Sequence, residues 1–593
     1  MPKIEIRERD LTTASNANTT TNAVYIPGYA NYGPVNTPIL CETVEEFYST
    51  FGSAPYRFRK DYSWNTLKAT NTSGTYTHGG FAENAISTSM GDMYEAGDYE
   101  KSYLMAERLL NLGLPVYYER VFDTSSSTNS TKWTASSSVS GKYTISAKYT
   151  GYAGTSIYYY LTETEYTVNT DTNYKYYTFH IGKNDNDNYG LPQVSEQKIV
   201  FTFSEDLHKL LNYVSLVKSP NLTLEDDYGL VTIKFDKSVN STTTLSQITQ
   251  ANKVNLTIAS TISGDDEFSP SYIYTHLANN ITTLSDKGEY ILKFITTGAY
   301  PVFEYVEAVP SSTQITSTTT YSYIENGIAT KILEVVAGRG DCTFLLDHTP
   351  NNDRSLLISS NNSVFKSVTT FARTPRSNKY VDDSNTFGAM FTPYGIYETS
   401  YGDQMLPASF GYLAAYAKQV NLTNNWLATA GVDRGTVPYL KALCQNVTNA
   451  IAESYTPRDG VAINPITNIK PYGLIIWGAR TLKDNAKEGD LVATSFLNIR
   501  QITNDVKRQI WVAAKSLTFE QNSEILWIRF KSKITPLLDN MVNANGLSTY
   551  EIRKQKSDKR ATVKAVIRLY AIEPVEDWDI TVELADSTTV VLG

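Results

Sequence analysis

Arg339-Gly340-Asp341 has the residues of an integrin-type adhesion tripeptide, but three residues recur often by chance, and the site reads as a simple turn before the strand Cys342 to Leu346. The neighbouring Asp347-His348 joins a carboxylate to an imidazole, the makings of a general acid–base pair. With no serine or cysteine nucleophile motif alongside, it reads as a loop pair. Asp185-Asn186-Asp187-Asn188 offers oxygen ligands to a hard cation but lacks the ordered spacing of a calcium loop ending in Glu. It reads as a solvated turn, as do Asp226-Asp227 and Asp265-Asp266-Glu267. Cys41, Cys342 and Cys444 lie far apart and, with five histidines, give neither a metal spacing nor a disulfide framework, so buried reduced thiols are expected. No Gly-x-x-x-x-Gly-Lys-Ser/Thr phosphate loop is present, and no pair of carboxylates signals a glycosidase. The expectation is a non-enzyme with no cofactor and no metal.

Charge is distributed unevenly. The 593-residue chain stands at −9, yet residues 499–568 hold 14 Lys/Arg against six acids, a local +8. Such a block marks an acidic partner, a nucleic acid or a solvated face. No run of about 18 apolar residues appears, and Met1-Pro2-Lys3-Ile4-Glu5 lacks the apolar segment of a secretion signal. A soluble, cytoplasmically made protein is expected. The 43 tyrosines suit β-rich modules and contact surfaces.

Both ends of the chain have the pattern of a strand on a tether. Trp578, Ile580, Val582 and Leu584 alternate with polar residues, as do Ile4 and Ile6, and the polar run Thr12 to Asn22 follows the latter. A terminal strand must pair with a sheet edge, its own or a neighbour's; if a neighbour's, the protein is a polymer subunit. Between the ends, residues 23–27 read as a short strand. Thr43 to Gly52 reads as a helix with a Thr43-x-x-Glu46 capping box, Phe47 and Phe51 on one face and Gly52 as its stop. Ser102 to Asn111 reads as a helix closed by Gly113, and Pro115 to Val121 as a buried strand. Alternating strand and helix argue for an open α/β layer. From Thr124 a Ser/Thr-rich run leads into short strands to about residue 340, an inserted β-rich region, and helical sequence returns at Leu406 to Gln419. In the last domain Ile499, Ile502, Val506, Ile510 and Ala513 share one helical face. A second helix starts near Asn522 or Ser523 with Trp527, Phe530, Ile534, Leu538 and Met541 in its stripe, is kinked by Pro536 and ends at Gly546. Residues 561–571 alternate as a strand, so two helices cover one sheet.

Several of these segments carry a family resemblance. Val24-Tyr25-Ile26-Pro27-Gly28, then Gly33-Pro34-Val35-Asn36-Thr37-Pro38 and Phe47 to Gly52, resembles the opening of contractile tail sheath proteins of phages and related injection devices. Ala147-Lys148-Tyr149-Thr150-Gly151-Tyr152-Ala153-Gly154 resembles a strand-and-turn motif of the sheath insertion. Asn464-Pro465-Ile466 with Gly473-Leu474-Ile475-Ile476-Trp477-Gly478-Ala479-Arg480-Thr481-Leu482 resembles the family's most recognisable block. Phe519-Glu520-Gln521-Asn522 before Trp527, and Ile572 to Trp578, resemble its C-terminal domain. Two departures stand out: residues 155–335 align with nothing in the family, and its Ala-Pro-Ala-Gly segment is here Leu427-Ala428-Thr429-Ala430-Gly431.

The expected fold is multidomain α+β and α/β: a tail-sheath-like core with an inserted β-rich domain and terminal strand-exchange arms. Its parts are an N-terminal arm and linker over 1–22, a first core part over 23–122, an inserted β-rich region over 123–344, and a second core part over 345–498. An inner C-terminal domain over 499–572 and a C-terminal arm over 573–593 complete it. The resemblance implies a structural subunit of hexameric rings stacked around a tail tube, whose arms donate strands to neighbours and which contracts irreversibly to drive the tube through a host envelope. It implies a homo-oligomer with tail tube, baseplate and tail terminator partners, no nucleic acid and no membrane, located in a virion and assembled in the host cytoplasm. It makes the C-terminal domain innermost, with Arg500, Lys507, Arg508 and Lys515 as tube-facing candidates. A tailocin or injection-system sheath is the alternative; a carbohydrate-binding surface adhesin built on the Tyr-rich insertion is the more distant one.

Overall fold

Eight strands drawn from across the chain make one sheet. The computed structural model describes residues 22–52, 98–122 and most of 133–576. The arm residues Ile4, Ile6, Trp578, Ile580, Val582 and Leu584, and the acidic runs at 185–188, 226–227 and 265–267, lie outside the described residues. In chain order the sheet takes β1 (Val24–Gly28), β2 (Ile39–Cys41), β3 (Val116–Arg120), β4 (Phe294–Ile295), β5 (Thr343–Leu346), β6 (Gly388–Thr392), β7 (Asn464–Ile469) and β8 (Gly473–Ile476). Their spatial order is β2-β3-β1-β4-β5-β6-β7-β8. The six inner strands run parallel, and β2 and β8 close the two edges antiparallel.

Parallel strands must be covered on both faces; β1, β3, β5 and β6 are buried at every position. Alternate side chains enter two cores. Val24, Ile26, Val116, Tyr118, Phe294, Leu345 and Phe391 pack with α1 (Val44–Phe51), α2 (Asp98–Asn111) and, later in the chain, the helix Ala408–Leu422. Tyr25, Tyr117, Ile295, Phe344, Leu346 and Met390 pack with α3 (Pro270–Asn280) and α4 (Ile328–Arg339); Ala408–Leu422 is α5. Half of the expected capping box forms, Thr43 accepting the Glu46 N–H at 3.2 Å, while the Glu46 carboxylate accepts the Glu42 N–H at 2.8 Å instead of that of Thr43; Gly52 closes α1 at φ 82°.

Residues 133–258 form two further sheets, of four and five strands, around a core of their own that includes Ile145, Ile157, Leu161, Phe179, Phe201 and Ile233. The β-rich texture expected over 123–344 stops earlier than that, because β4 pairs between β1 and β5 and α3 and α4 cover the main sheet. Two-residue β4 is too short to leave a periodic signal. The Ala147-to-Gly154 turn seats this region on the sheet: Arg120, fully buried, donates to the carbonyls of Ala30, Gly33 and Thr150. A Cβ on Gly154 would stand 2.9 Å from those of both Ala135 and Ala147.

Candidate assembly surface

The chemistry-bearing runs among the described residues are structural. Arg339 and Asp341 are both buried and paired with each other, Nε to Oδ1 at 2.9 Å, and Gly340 caps α4 at φ 72°, so the tripeptide is no adhesion loop. Asp347 accepts the backbone N–H and the hydroxyl of Ser409 at the start of α5, a long-range helix cap. Burial pushes its carboxyl up to about 7 against those two bonds. His348 bonds Thr392 Oγ1 at 2.9 Å instead. Cys41 and Cys342 are buried as expected, while Cys444 is half-buried; burial pushes the Cys41 and Cys342 thiols up to about 12. Among the described residues no group of three or more His, Cys, Asp or Glu is placed to hold a metal.

The motifs of the Gly473-to-Leu482 block converge on Asn464. Its amide donates to the carbonyls of Met390 and Arg480 at 3.0 and 2.8 Å and accepts the Arg480 N–H at 2.8 Å. Gly478 packs so closely that a Cβ there would stand 2.9 Å from Asn464 Oδ1.

Next comes the basic region. α6 (Leu497–Ser516) buries Ile499, Ile502, Val506 and Ala513, as its periodicity requires, and leaves Ile510 partly buried. Its opposite polar residues are buried too. Lys293 Nζ lies 2.6 Å from Asp505, Asn504 Nδ2 donates to the Cys342 carbonyl at 3.0 Å, Gln501 Nε2 to Tyr412 Oη at 2.6 Å, and Arg508 pairs with Asp341. These bonds fix α6 to the N-terminal ends of β4 and β5 and to α5. α7 (Glu524–Asn543) starts on Ser523, whose hydroxyl accepts the Leu526 N–H, and buries Ile534, Leu538 and Met541. The N-terminal half of its expected stripe stays uncovered: Trp527 and Phe530 stack on each other half-buried, and Ile525 and Ile528 are exposed. The stop comes from Asn545 at φ 57°, while Gly546 makes room for Trp426, whose ring a Cβ would approach to 2.8 Å. β9 (Leu547–Gln555) and β10 (Lys564–Ala571) then form a two-stranded antiparallel sheet that lies on α7 and, among the described residues, has no further strand on either side.

Of the four cations expected on a partner-facing surface, two are corrected by burial. Arg500 and Arg508 are 4% and 5% exposed and are spent on Thr386 and Asp341. Lys507 and Lys515 reach solvent. Sequence periodicity cannot separate the two pairs, because arginines buried through Thr386 and Asp341 depend on partners more than 100 residues away.

No family model matches the chain. A tail sheath protein of Vibrio phage KVP40 is 26% identical over 173 residues, 28% of this chain and 24% of that protein, so the match spans about a quarter of that relative's length. Among solved structures, a sheath tail protein from Listeria innocua aligns over 94% of this chain and 98% of its own at 13% identity and a TM-score of 0.48. A sheath tail protein from Desulfitobacterium hafniense aligns over 96% and 100% at 10% identity and a TM-score of 0.43. The chain is similar to contractile tail sheath proteins, the family that its own motifs resemble.

Proposed function

We propose that this chain is the structural subunit of a contractile sheath, polymerising as stacked hexameric rings around a tail tube in a virion or a related injection particle. The observation that carries the reading is the β9–β10 pair. Two strands alone are marginal in water, and among the described residues this pair has two open edges, in a chain whose ends have the sequence of strands. Ile4 and Ile6 of one copy and Trp578, Ile580, Val582 and Leu584 of another add to those edges by strand addition. Each main-chain bond is worth roughly 0.5–1.5 kcal/mol net, so a junction contributes only a few kcal/mol and the mesh holds by repetition. The tethers Thr12 to Asn22 and Glu573 to Asp577 flex as the lattice shortens. Energy for that step is stored in the extended lattice.

The tube-facing surface is the exposed cations of α7, Arg529, Lys531 and Lys533, with Lys515 at the end of α6. A screened, charge-dominated contact positions the sheath and releases on expansion. The remaining partners are a baseplate and a tail terminator. Negative-stain electron microscopy of the purified chain tests the reading: wide striated tubes, alone or on added tube protein, are expected. Monodisperse particles under both conditions, together with a positive glycan array, would favour the adhesin instead.

A further inference from the structure

Arg500, Lys507, Trp511 and Lys515 fall on one stripe of α6, at spacings of seven, four and four residues. Arg500 and Lys507 share a single ring: the guanidinium carbon stands 4.1 Å and Lys507 Nζ 5.5 Å from the centre of Phe387. Lys287 and Lys515 share Trp511 in the same way, at 5.3 and 4.8 Å. None of these four cations has a carboxylate at ion-pair distance among the described residues. The acids nearby are already engaged. Asp341 is held by Arg339 and Arg508, Asp505 by Lys293, Asp383 by Lys483, and Asp286 accepts the Gly288 N–H.

Arg500 is the least satisfied member. Its Nη2 donates to Thr386 Oγ1 at 2.6 Å, but its buried Nε has no acceptor among the described residues. A buried guanidinium with an open N–H costs stability. Burial, opposed by Asp383, holds this guanidinium down to about 10, and Lys507 is lowered by burial, by Arg500 and by Lys287. The cluster is therefore short of negative charge.

The complement sits on another part of the same chain. Glu42, Glu45 and Glu46 surround the first turn of α1, all exposed and without a cation partner among the described residues. α1 lies by edge strand β2, whereas α6 lies at the ends of β4 and β5 in the middle of the sheet. Two unlike patches on separate parts of one chain make a head-to-tail contact, which leads to rings or open helical arrays.

We propose that Lys287 and Lys507, with the buried charge of Arg500 behind them, form a docking site for the α1 carboxylates Glu42, Glu45 and Glu46 of a second copy of this chain. The site rests on the reading of the chain as a polymer subunit and names one lattice contact separate from the arms. The test uses the full-length protein and reads the concentration needed for tube formation by sedimentation. Lys287→Glu with Lys507→Glu is expected to raise that concentration about tenfold or more, since opposed like charges cost several kcal/mol. Adding Glu45→Lys and Glu46→Lys to the same chain is expected to restore it to within about threefold. Circular dichroism melts check folding; should the reversals unfold the chain, Lys507→Gln and Glu45→Gln are read instead, each with a smaller rise and a shallower salt dependence. A reversed chain that assembles at the wild-type concentration with wild-type salt dependence overturns the site while leaving the polymer reading intact. Charge swaps that fail to restore assembly overturn the pairing with α1. Wild-type protein that stays monomeric, alone and with tube protein, overturns both.

Discussion

Arg480 Nε donates to both carboxylate oxygens of Glu576, at 3.1 and 2.9 Å, and so ties the chain just past β10 to the Gly473-to-Leu482 block. The guanidinium is 4% and the carboxylate 28% exposed. The same arginine is fixed through its main chain by Asn464. The point from which the C-terminal arm departs is thus set by the main sheet, and the tether proposed over Glu573 to Asp577 is anchored at Glu576 in this structure. Arg480→Ala is expected to cost about 1–3 kcal/mol, as loss of a charged hydrogen bond does. Chemical denaturation reads it; an unchanged midpoint would show that the pair holds nothing.

Gly478→Ala places a Cβ against Asn464 Oδ1 and Pro465. Neither neighbour is the end of a flexible chain, so a loss of about 1–3 kcal/mol is expected from overpacking, measured by the same denaturation. Gly402→Ala serves as a comparison: nothing lies within 4 Å of its Cβ, and its cost is confined to a φ of 95°.

Lys293 and Asp505 are both nearly buried, at 4% and 7%, and join β4 to α6. Removing one partner strands the other charge in the interior, so Lys293→Met is expected to destabilise by about 3–5 kcal/mol. The double change Lys293→Met, Asp505→Leu is expected to recover much of that loss. Equal melting temperatures for all three chains would contradict a buried pair.

These contacts mark the limit of what the sequence disclosed. The Thr43 cap, the apolar face of α6, the Ser523 start of α7 and the Val116–Arg120 strand were legible because their signals are local: a cap, a period, a run. The extent of the inserted region was not, because β4 is two residues long and acquires its identity only from β1 and β5 on either side. Arg500 and Arg508 were legible as charge and not as burial. Their partners Thr386 and Asp341 lie more than 100 residues earlier in the chain, and no periodicity records such a pair.

Asp347 supplies a pH dependence. Burial raises its folded-state carboxyl to about 7 from an ordinary value of 3.8, so between those values the folded chain holds a proton that the unfolded chain has released. Stability therefore falls as pH rises from about 4 to about 7 and levels off above. Asp347→Asn removes the titration, and its melting temperature is expected to gain on that of the wild type from pH 5 to about pH 7 and to hold that margin up to pH 8. A constant difference over that range would show the carboxyl to be ionised throughout.

The strand-exchange account turns on the arms, and deletion of residues 1–20 tests it most directly. Full-length and shortened chains would be compared by negative-stain electron microscopy at equal concentration, with circular dichroism confirming that both are folded. The account predicts striated tubes from the full chain and only folded monomers from the shortened one. Tubes of normal length from the shortened chain would contradict it.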